Sequence, residues 1–349
     1  MTTALSSPTL AWQDADQDTD KENDIEEIIV TSGKLNKKLE DITSSVAIVT
    51  SQELEDQMVS DLNQMFRNEP GVSVTGNSGS AQNVVIRGMS GDRVLMIKDG
   101  MRMNEGYGAD GANDIVGRGN VDMSTLKQVE VAKGPASAQY GADAMAGIVI
   151  FTTKDPDDYL DGAGDDFALL GKAGYAGVND QSSFGGTVAV RTGRLVSSLS
   201  VTKNNGGETQ NYYDESNNME VDSIAILAKA KLNINDNANI VLSYDLWDQD
   251  SYTPDAGKGD YGLWQNLSGY KFVYIDSNAD VRTEAYKADF HYKSDVIESI
   301  DMSFYRNKTE QNDGNLQVLE IDSGFTMDSG RNYITSGIYD HITYGFKSN

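Results

Sequence analysis

The chain has 349 residues, enough for more than one domain, with 34 glycines, 2 histidines, no cysteine and a formal net charge of -26. The lack of cysteine excludes a disulfide framework and thiol catalysis, and an acidic balance that no basic patch interrupts excludes nucleic acid as a partner. No run of about eighteen apolar residues occurs, so no transmembrane helix is predicted, although a membrane strand of about ten alternating residues leaves no such trace.

Residues 1–24 open with MTTALSSPTLAW, which reads as the end of a secretory signal with small residues near Leu10 and Ala11. Asp14 to Asp24 then mixes acids with polar residues and is expected to be disordered. Asp14, Asp16 and Asp18 imitate the start of a calcium loop, but Thr19 stands where that loop needs Gly and Ile25 where it needs Glu. Within 25–32, Glu26-Glu27-Ile28-Ile29-Val30-Thr31 is a β-branched run in polar chain that asks for a pairing partner, or else is the first strand of the adjoining domain.

Residues 33–156 read as a mixed α/β domain. A strand from Val46 to Thr50 precedes a helix with Leu54, Met58 and Leu62 at helical spacing and Ser51 as its N-cap. A second helix, Asp61 to Arg67, stops at Pro70-Gly71. Short buried strands around Val85 and Val94 to Ile97 are separated by Gly88, Gly91 and Gly100, where turns need positive φ or close backbone approach. Met101 to Val121 is a long Gly- and Asp-rich loop carrying Met101, Met103, Tyr107, Asp110 and Asn113. A loop of that length is usually functional or disordered. Strands at Val129 to Val131 and Ile148 to Thr153 flank a Gly- and Ala-rich run.

Beyond Asp155-Pro156-Asp157-Asp158, read as a solvated linker, residues 157–349 change to alternation. Strands are expected near Ala168 to Val178, Phe184 to Thr192, Leu195 to Lys203, Asp222 to Ile234, Ala238 to Trp247, Val281 to Tyr292, Ser299 to Arg306 and Thr335 to Phe346. Ile224, Ile226, Ala228, Ala230 and Leu232 share one face while Lys229, Lys231 and Asn233 share the other, the period of a sheet with one lipid face and one wet face. Connections are tight at Gly193, Asn235 to Asn237 and Lys293 to Ile297, and long at Asn204 to Val221, Asp248 to Asp280 and Asn307 to Ile334. Short turns at one end and long loops at the other belong to an outer-membrane barrel. Tyr286, Phe290, Tyr292, Tyr344 and Phe346 fit an interfacial aromatic girdle.

Val84 to Lys154 carries three ordered elements over about seventy residues: Ile86-Arg87-Gly88; Arg93 with Asp99-Gly100; and Glu130, Gly134, Pro135, Ser137, Tyr140, Gly141, Ala144, Gly147 and Lys154. They resemble the plug domain of TonB-dependent outer-membrane receptors. The resemblance implies an α+β plug followed by an antiparallel transmembrane β-barrel, incomplete here at about eight strands where plugged transporters close with about twenty-two. It implies that residues 25–32 are a TonB box, which pairs by strand addition with the periplasmic energising protein TonB. It places Arg87, and Lys133 where a second arginine usually stands, as a lock between plug and wall, although lysine cannot form the bidentate fork. It makes Met101, Met103, Tyr107, Asp110 and Asn113 candidate ligand contacts. The expected function is uptake of an iron complex, haem or a ferric siderophore, by a Gram-negative outer-membrane receptor that keeps no permanent cofactor.

The run ending Phe151-Thr152-Thr153-Lys154-Asp155-Pro156 is most like the haem and haemoglobin or transferrin branch. Haem receptors commonly use His or Tyr as axial ligands, yet parity puts His291 on the lumen face near a short turn, beside Lys287 and Asp289, and His341 also reads as lumenal. Both read as structural hydrogen-bonders; Tyr107 is the phenolate candidate. No nucleophile and base, HExxH, GxSxG or P-loop supports an enzyme. The rivals are a surface adhesin without transport and a receptor for cobalamin or an oligosaccharide.

Overall fold

The computed structural model describes residues 29–30, 37–38, 46–76, 82–103, 120–134, 144–160, 166–207, 219–254, 270–294, 299–321, 325–329 and 339–348. Near the N-terminus, β1 (Ile29–Val30) folds back antiparallel on β2 (Lys37–Lys38). The plug comes next, with strands β3 (Val46–Thr50), β4 (Val72–Thr75), β5 (Asn83–Ile86), β6 (Val94–Lys98), β7 (Met101–Arg102), β8 (Leu126–Lys133) and β9 (Gly147–Thr153) and helices α1 (Ser51–Asp56) and α2 (Leu62–Phe66). Five of the strands form one sheet in the order β3-β8-β9-β6-β7, and β4 pairs with β5.

Helix α1 starts one residue before the expected position. Thr50, not Ser51, is the N-cap, because Thr50 and Glu53 form a reciprocal capping box: Glu53 N donates to Thr50 Oγ1 at 3.3 Å and Thr50 N to the Glu53 carboxylate at 2.8 Å. Helix α2 falls where expected, with Asp61 as its N-cap accepting from Gln64 N at 2.8 Å.

The central plug strands are covered on both faces, which is why they read as continuous apolar runs. Val94, Met96, Val149 and Phe151 point to the larger core with Leu62, Phe66, Val129 and Val131, while Leu95, Ile97, Ile148 and Ile150 point to a smaller one with Ala144. Gly147 is required at its position: a Cβ there would stand 2.4 Å from the Ala132 carbonyl oxygen and 2.8 Å from Ile86 Cδ1. Asp99-Gly100 makes the two-residue turn between β6 and β7, with φ of 48° and 79°, the geometry for which an Asp-Gly pair is favoured.

The second part is a single nine-stranded antiparallel sheet: β10 (Phe167–Ala176), β11 (Gln181–Thr192), β12 (Leu195–Gly207), β13 (Glu220–Asn235), β14 (Ala238–Thr253), β15 (Tyr270–Tyr292), β16 (Ile300–Ile321), β17 (Phe325–Ser329) and β18 (Tyr339–Ser348). Consecutive strands pair from β10 to β17, and β18 pairs with β16. Two-residue turns at Gly193-Arg194 and Asp236-Asn237 mark one end. The other end carries the longer connections, apart from a tight turn over residues 177–180 and the three-residue link from β16 to β17.

Three strands run far past their expected ends. Residues 248–253, 270–280 and 307–321, expected within long loops, continue β14, β15 and β16, and Phe325–Ser329 adds β17. The 23 residues of β15 reach about 76 Å at about 3.3 Å each, whereas hydrocarbon needs only about 9–11. Past the bilayer no lipid imposes an apolar face, so alternation fades from the sequence while backbone pairing continues.

Sidedness is set by register. Ile224, Ile226, Ala228, Ala230 and Leu232 lie opposite Lys203, Val201, Leu199, Ser197 and Leu195 on one neighbour and continue across to Asp248, Leu246, Tyr244, Leu242 and Ile240 on the other. Large apolar side chains on this outer face are exposed, among them Phe184 at 65% and Leu242 at 54%. The inner face buries Ser198, Ser200, Thr202, Ser223, Lys229, Asn307 and Thr309. Apolar groups outside and polar groups inside invert the rule for a water-soluble protein and fit a wall set in lipid. No helix among the described residues is long and apolar enough to cross a membrane, which says nothing of strands.

Of the expected girdle, Tyr286 is exposed on the outer face with its ring 5.0 Å from that of Tyr244, and Tyr344 and Phe346 stand opposite Phe304 and Met302. Replacing Leu199 by Arg on the lipid face is expected to cost about 2–4 kcal/mol near mid-bilayer. Urea unfolding in phospholipid vesicles measures this, with Ser197→Thr as a mild comparison on the same strand.

Candidate functional site

The described inner wall meets the plug along a polar seam, and the tightest part is built around Lys229. Its side chain is only 5% exposed, on the inner face of β13, with Nζ 3.2 Å from Asp155, 3.7 Å from Asp99 and 3.3 Å from the Thr153 carbonyl oxygen. Asp99 is held in turn by Thr153, whose N and Oγ1 donate to its carboxylate at 2.8 and 2.6 Å. Burial alone would push the Asp99 carboxyl up, but Lys229, the two Thr153 hydrogen bonds and Lys98 outweigh it and hold the group below the usual carboxylate range.

Further pairs line this seat. Lys98 meets Asp245 of β14 at 2.5 Å, Lys231 and Arg191 meet Asp157 at 2.7 and 3.3 Å, and Lys172 of β10 meets Glu55 at 2.8 Å. Glu55 also accepts from Lys154 at 3.1 Å. The hydrogen bond from Lys172 first, then Lys154, holds the Glu55 carboxyl low against partial burial. Uncharged contacts complete the seam: Ser124 Oγ with Thr202 Oγ1 at 3.2 Å, and Asn307 Nδ2 donating to the Arg102 carbonyl at 3.2 Å.

One sequence expectation changes here. Asp157 and Asp158 are not in a solvated linker: Pro156–Tyr159 is a 3-10 turn docked on the wall, Asp158 pairs with Lys127 at 2.7 Å, and Leu160 is buried with Ala189 and Val196. Acids look solvated in sequence because their cations, Arg191 and Lys231, lie more than thirty residues downstream. Arg87 and Lys133 are neighbours in the plug, near Gly71 and Gly134, and Lys133 pairs with plug Glu69 and donates to the Pro70 carbonyl at 3.2 Å. Among the described residues neither forms an ion pair with the wall. The plug-to-wall pairs instead place cations of the wall on plug acids, with Lys98 and Asp245 as the converse case.

Toward the loop end the seam opens into two small cavities that share Asn120 and Trp247. One, of about 70 Å³, is lined by Ser60, Gln82, Asn120, Asn204, Trp247 and Gln249 among others. The other, about 30 Å³, includes Met101, Met103, Thr283 and Asn307. Thus Met103 and Asn120, the described residues of the predicted loop that flank residues 104–119, frame one site with a wall indole; Tyr107, Asp110 and Asn113 lie outside the described residues. Gln82 Nε2, Asn120 Nδ2 and Trp247 Nε1 are buried without a partner among the described residues. Neither Gln82 nor Trp247 was singled out from sequence; for Trp247 the signal was its inward parity on β14.

His291 sits on the lumen face near the end of β15, opposite Asn239 and Asp301, with Nδ1 bonded to the Asp301 carboxylate. His341 stands opposite Asn307 in the register. In the expected box, Ile29 and Val30 are the residues of β1, while Glu26, Glu27, Ile28 and Thr31 lie outside the described residues.

A polar-lined antiparallel wall holding an N-terminal α+β plug defines an outer-membrane receptor fold. Residues 38–148 match the family described as TonB-dependent Receptor Plug Domain, so the chain carries a TonB-dependent receptor plug followed by part of a barrel, the fold of outer-membrane proteins of Gram-negative bacteria. It is 24% identical over 335 residues to the vitamin B12 transporter BtuB of Vibrio vulnificus, covering 91% of this chain and 52% of that protein. Among solved structures it is similar to the FrpB iron transporter of Neisseria meningitidis, with a TM-score of 0.64 at 19% identity over 79% of this chain and 45% of that one. It is also similar to a mutant of the ferric enterobactin receptor PfeA of Pseudomonas aeruginosa in complex with enterobactin, with a TM-score of 0.58 at 18% identity over 84% and 44% of the two chains. The chain spans about half the length of the curated relative it matches.

Replacing Lys229 by Ala leaves Asp99 buried without its main cation and is expected to weaken plug seating by about 3–5 kcal/mol, whereas Lys229→Met combined with Asp99→Asn recovers part of the loss. Because the folded Asp99 carboxyl titrates below its unfolded value, its contribution is present above about pH 4 and is lost as pH falls through the lower folded value. Protease accessibility of the plug in outer-membrane vesicles reads both effects.

Proposed function

We propose that the protein takes up a scarce, bulky nutrient across the outer membrane, binding it at the loop end and having its plug remodelled by TonB pulling on Glu26 to Thr31. The observation that carries this reading is the plug's seat: a folded domain with its own apolar cores rests on a largely polar wall through ion pairs and hydrogen bonds, with a small apolar contact at Leu160, Ala189 and Val196, an arrangement that can be displaced with little hydrophobic surface exposed. In the described structure Ile29 and Val30 use their strand edge on Lys37 and Lys38. That short pairing is easily exchanged for a strand supplied by a partner.

Iron complexes remain the first reading of the cargo, a ferric siderophore or haem. It is supported by fold neighbours named as an iron transporter and a ferric enterobactin receptor. The second reading is a corrinoid, favoured by the relative named as a vitamin B12 transporter. In either case the cargo is a substrate and not a resident cofactor. Met101, Met103, Tyr107, Asp110 and Asn113 are the proposed plug contacts, with the first two already beside the wall at Trp247 and Thr283. The Arg87 and Lys133 pair is proposed as the part of the plug that locks against wall strands beyond those it meets here.

Ile29→Pro removes an N–H and the strand geometry of the box. It is expected to abolish uptake, scored by growth on iron complexes and on vitamin B12 as limiting nutrients, while surface binding of the nutrient stays within about twofold. Loss of binding together with uptake, or no effect on either, would favour an adhesin.

A further inference from the structure

From β11 to β15 the described inner wall divides into a charged half and an uncharged half; beside them on β10, Lys172 stands inward in the register row of Thr202 and Trp247, where its charge is paired with plug Glu55. Toward the two-residue turns, the inward positions include Arg191, Lys229, Lys231, Asp245, Lys287 and Asp289. Beyond Asp245 toward the loops, the described inward positions of β11 to β15 hold only uncharged residues, chiefly Thr202, Asn204, Ser223, Trp247, Gln249 and Thr283. The charges of the same stretch, Lys203, Glu220, Asp222, Asp248, Asp250, Asp276, Asp280, Arg282 and Glu284, all take outward positions.

Lipid does not explain this segregation. Residues that carry charge on their outer face are already above the apolar band, so both faces of the wall are wet there and solvation has no reason to prefer one. What distinguishes the inner face is the solute that passes it. Three buried donors without an acceptor among the described residues, from Gln82, Asn120 and Trp247, belong to residues that line the larger cavity, beside Asp61, whose carboxylate already caps α2. Gln82 is itself only 6% exposed. The cavity's volume of about 70 Å³ admits a terminal amide or hydroxyl group, or the few waters such a group would displace.

Resting on the uptake reading above, we propose that this half of the inner wall, with Trp247 at its centre, is a selectivity surface for an uncharged solute rich in amide or hydroxyl groups. Carbonyl and hydroxyl oxygens satisfy the waiting donors, and the indole offers a flat apolar face beside its N–H. A polyanionic chelate would lose hydration without gaining a cation, since Lys98 is already matched by Asp245 and the described residues of β11 to β15 supply no other here. The outward acids and the net charge of -26 add repulsion during approach.

The test uses outer-membrane vesicles and whole cells carrying the full chain. Vitamin B12 and a neutral ferric trihydroxamate serve as uncharged probes, a ferric triscatecholate and haem as anionic ones. The uncharged class is expected to bind at least about tenfold more tightly. Trp247→Phe, which keeps the ring and deletes the donor, should weaken that binding about threefold to tenfold. Gln249→Lys should shift preference toward the anionic class. Box-dependent uptake that favours the anionic probes, unchanged by either substitution, overturns the inference and leaves the transport reading intact. Absence of box-dependent uptake for both classes overturns the transport reading, and this inference with it.

Discussion

Backbone that crosses hydrocarbon must find every hydrogen-bond partner inside its own sheet, and the sheet must then show lipid an apolar face. In this chain that constraint sends Phe184, Leu199, Ile226 and Leu242 outward and leaves Ser198, Ser200, Thr202, Lys229, Asn307 and Thr309 for the interior. A domain placed against such an interior is held mainly by polar contacts, with hydrophobic burial confined to small patches such as Leu160 on Ala189 and Val196. The plug therefore keeps its own cores around Phe66 and Phe151, and it docks through polar groups at its rim.

The same constraint explains why Lys229 is surrounded so completely. A buried ammonium is costly unless charge and hydrogen bonds replace its hydration. Asp99, Asp155 and the Thr153 carbonyl do so here. Such a group adds little net stability over an apolar side chain of similar size, but it demands one arrangement of the plug's Asp-Gly turn and the end of β9. The turn itself makes this possible, because the left-handed conformation of Asp99 and Gly100 turns the Asp99 carboxylate back onto Thr153 and out toward the wall.

Much of this was legible in the residues. Period-two alternation from Ile224 to Asn233 gave the two faces of β13, and placed Lys229 and Lys231 on the wet one, because lipid enforces that pattern residue by residue. The Asp-Gly turn and the Pro-Gly stop after α2 were readable because few other residues suit those backbone angles. The capping box was also present as Thr50 and Glu53, and reading Ser51 as the cap overlooked it. What alternation could not show was the extension of β14, β15 and β16 past the bilayer, where pairing continues without an apolar face. Nor could local sequence show that Asp157 meets Arg191 and Lys231, or that Trp247 faces Asn120, since those neighbours are brought together only by strand register and plug placement.

The two halves of the inner wall fit together in one further respect. Toward the turn end, and at Lys172 with Glu55 on β10, cations and carboxylates hold the plug; toward the loop end, the surface proposed to meet the solute carries no charge on the described residues of β11 to β15. A polyanionic solute descending the seam would compete with Asp99, Asp155 and Asp157 for Lys229, Lys231 and Arg191, and would loosen the plug on arrival. An uncharged one leaves those pairs undisturbed. Under the proposed uptake reading, capture and plug release then draw on different interactions, and binding alone would leave the plug seated until the proposed pull arrives along the segment that contains Ile29 and Val30.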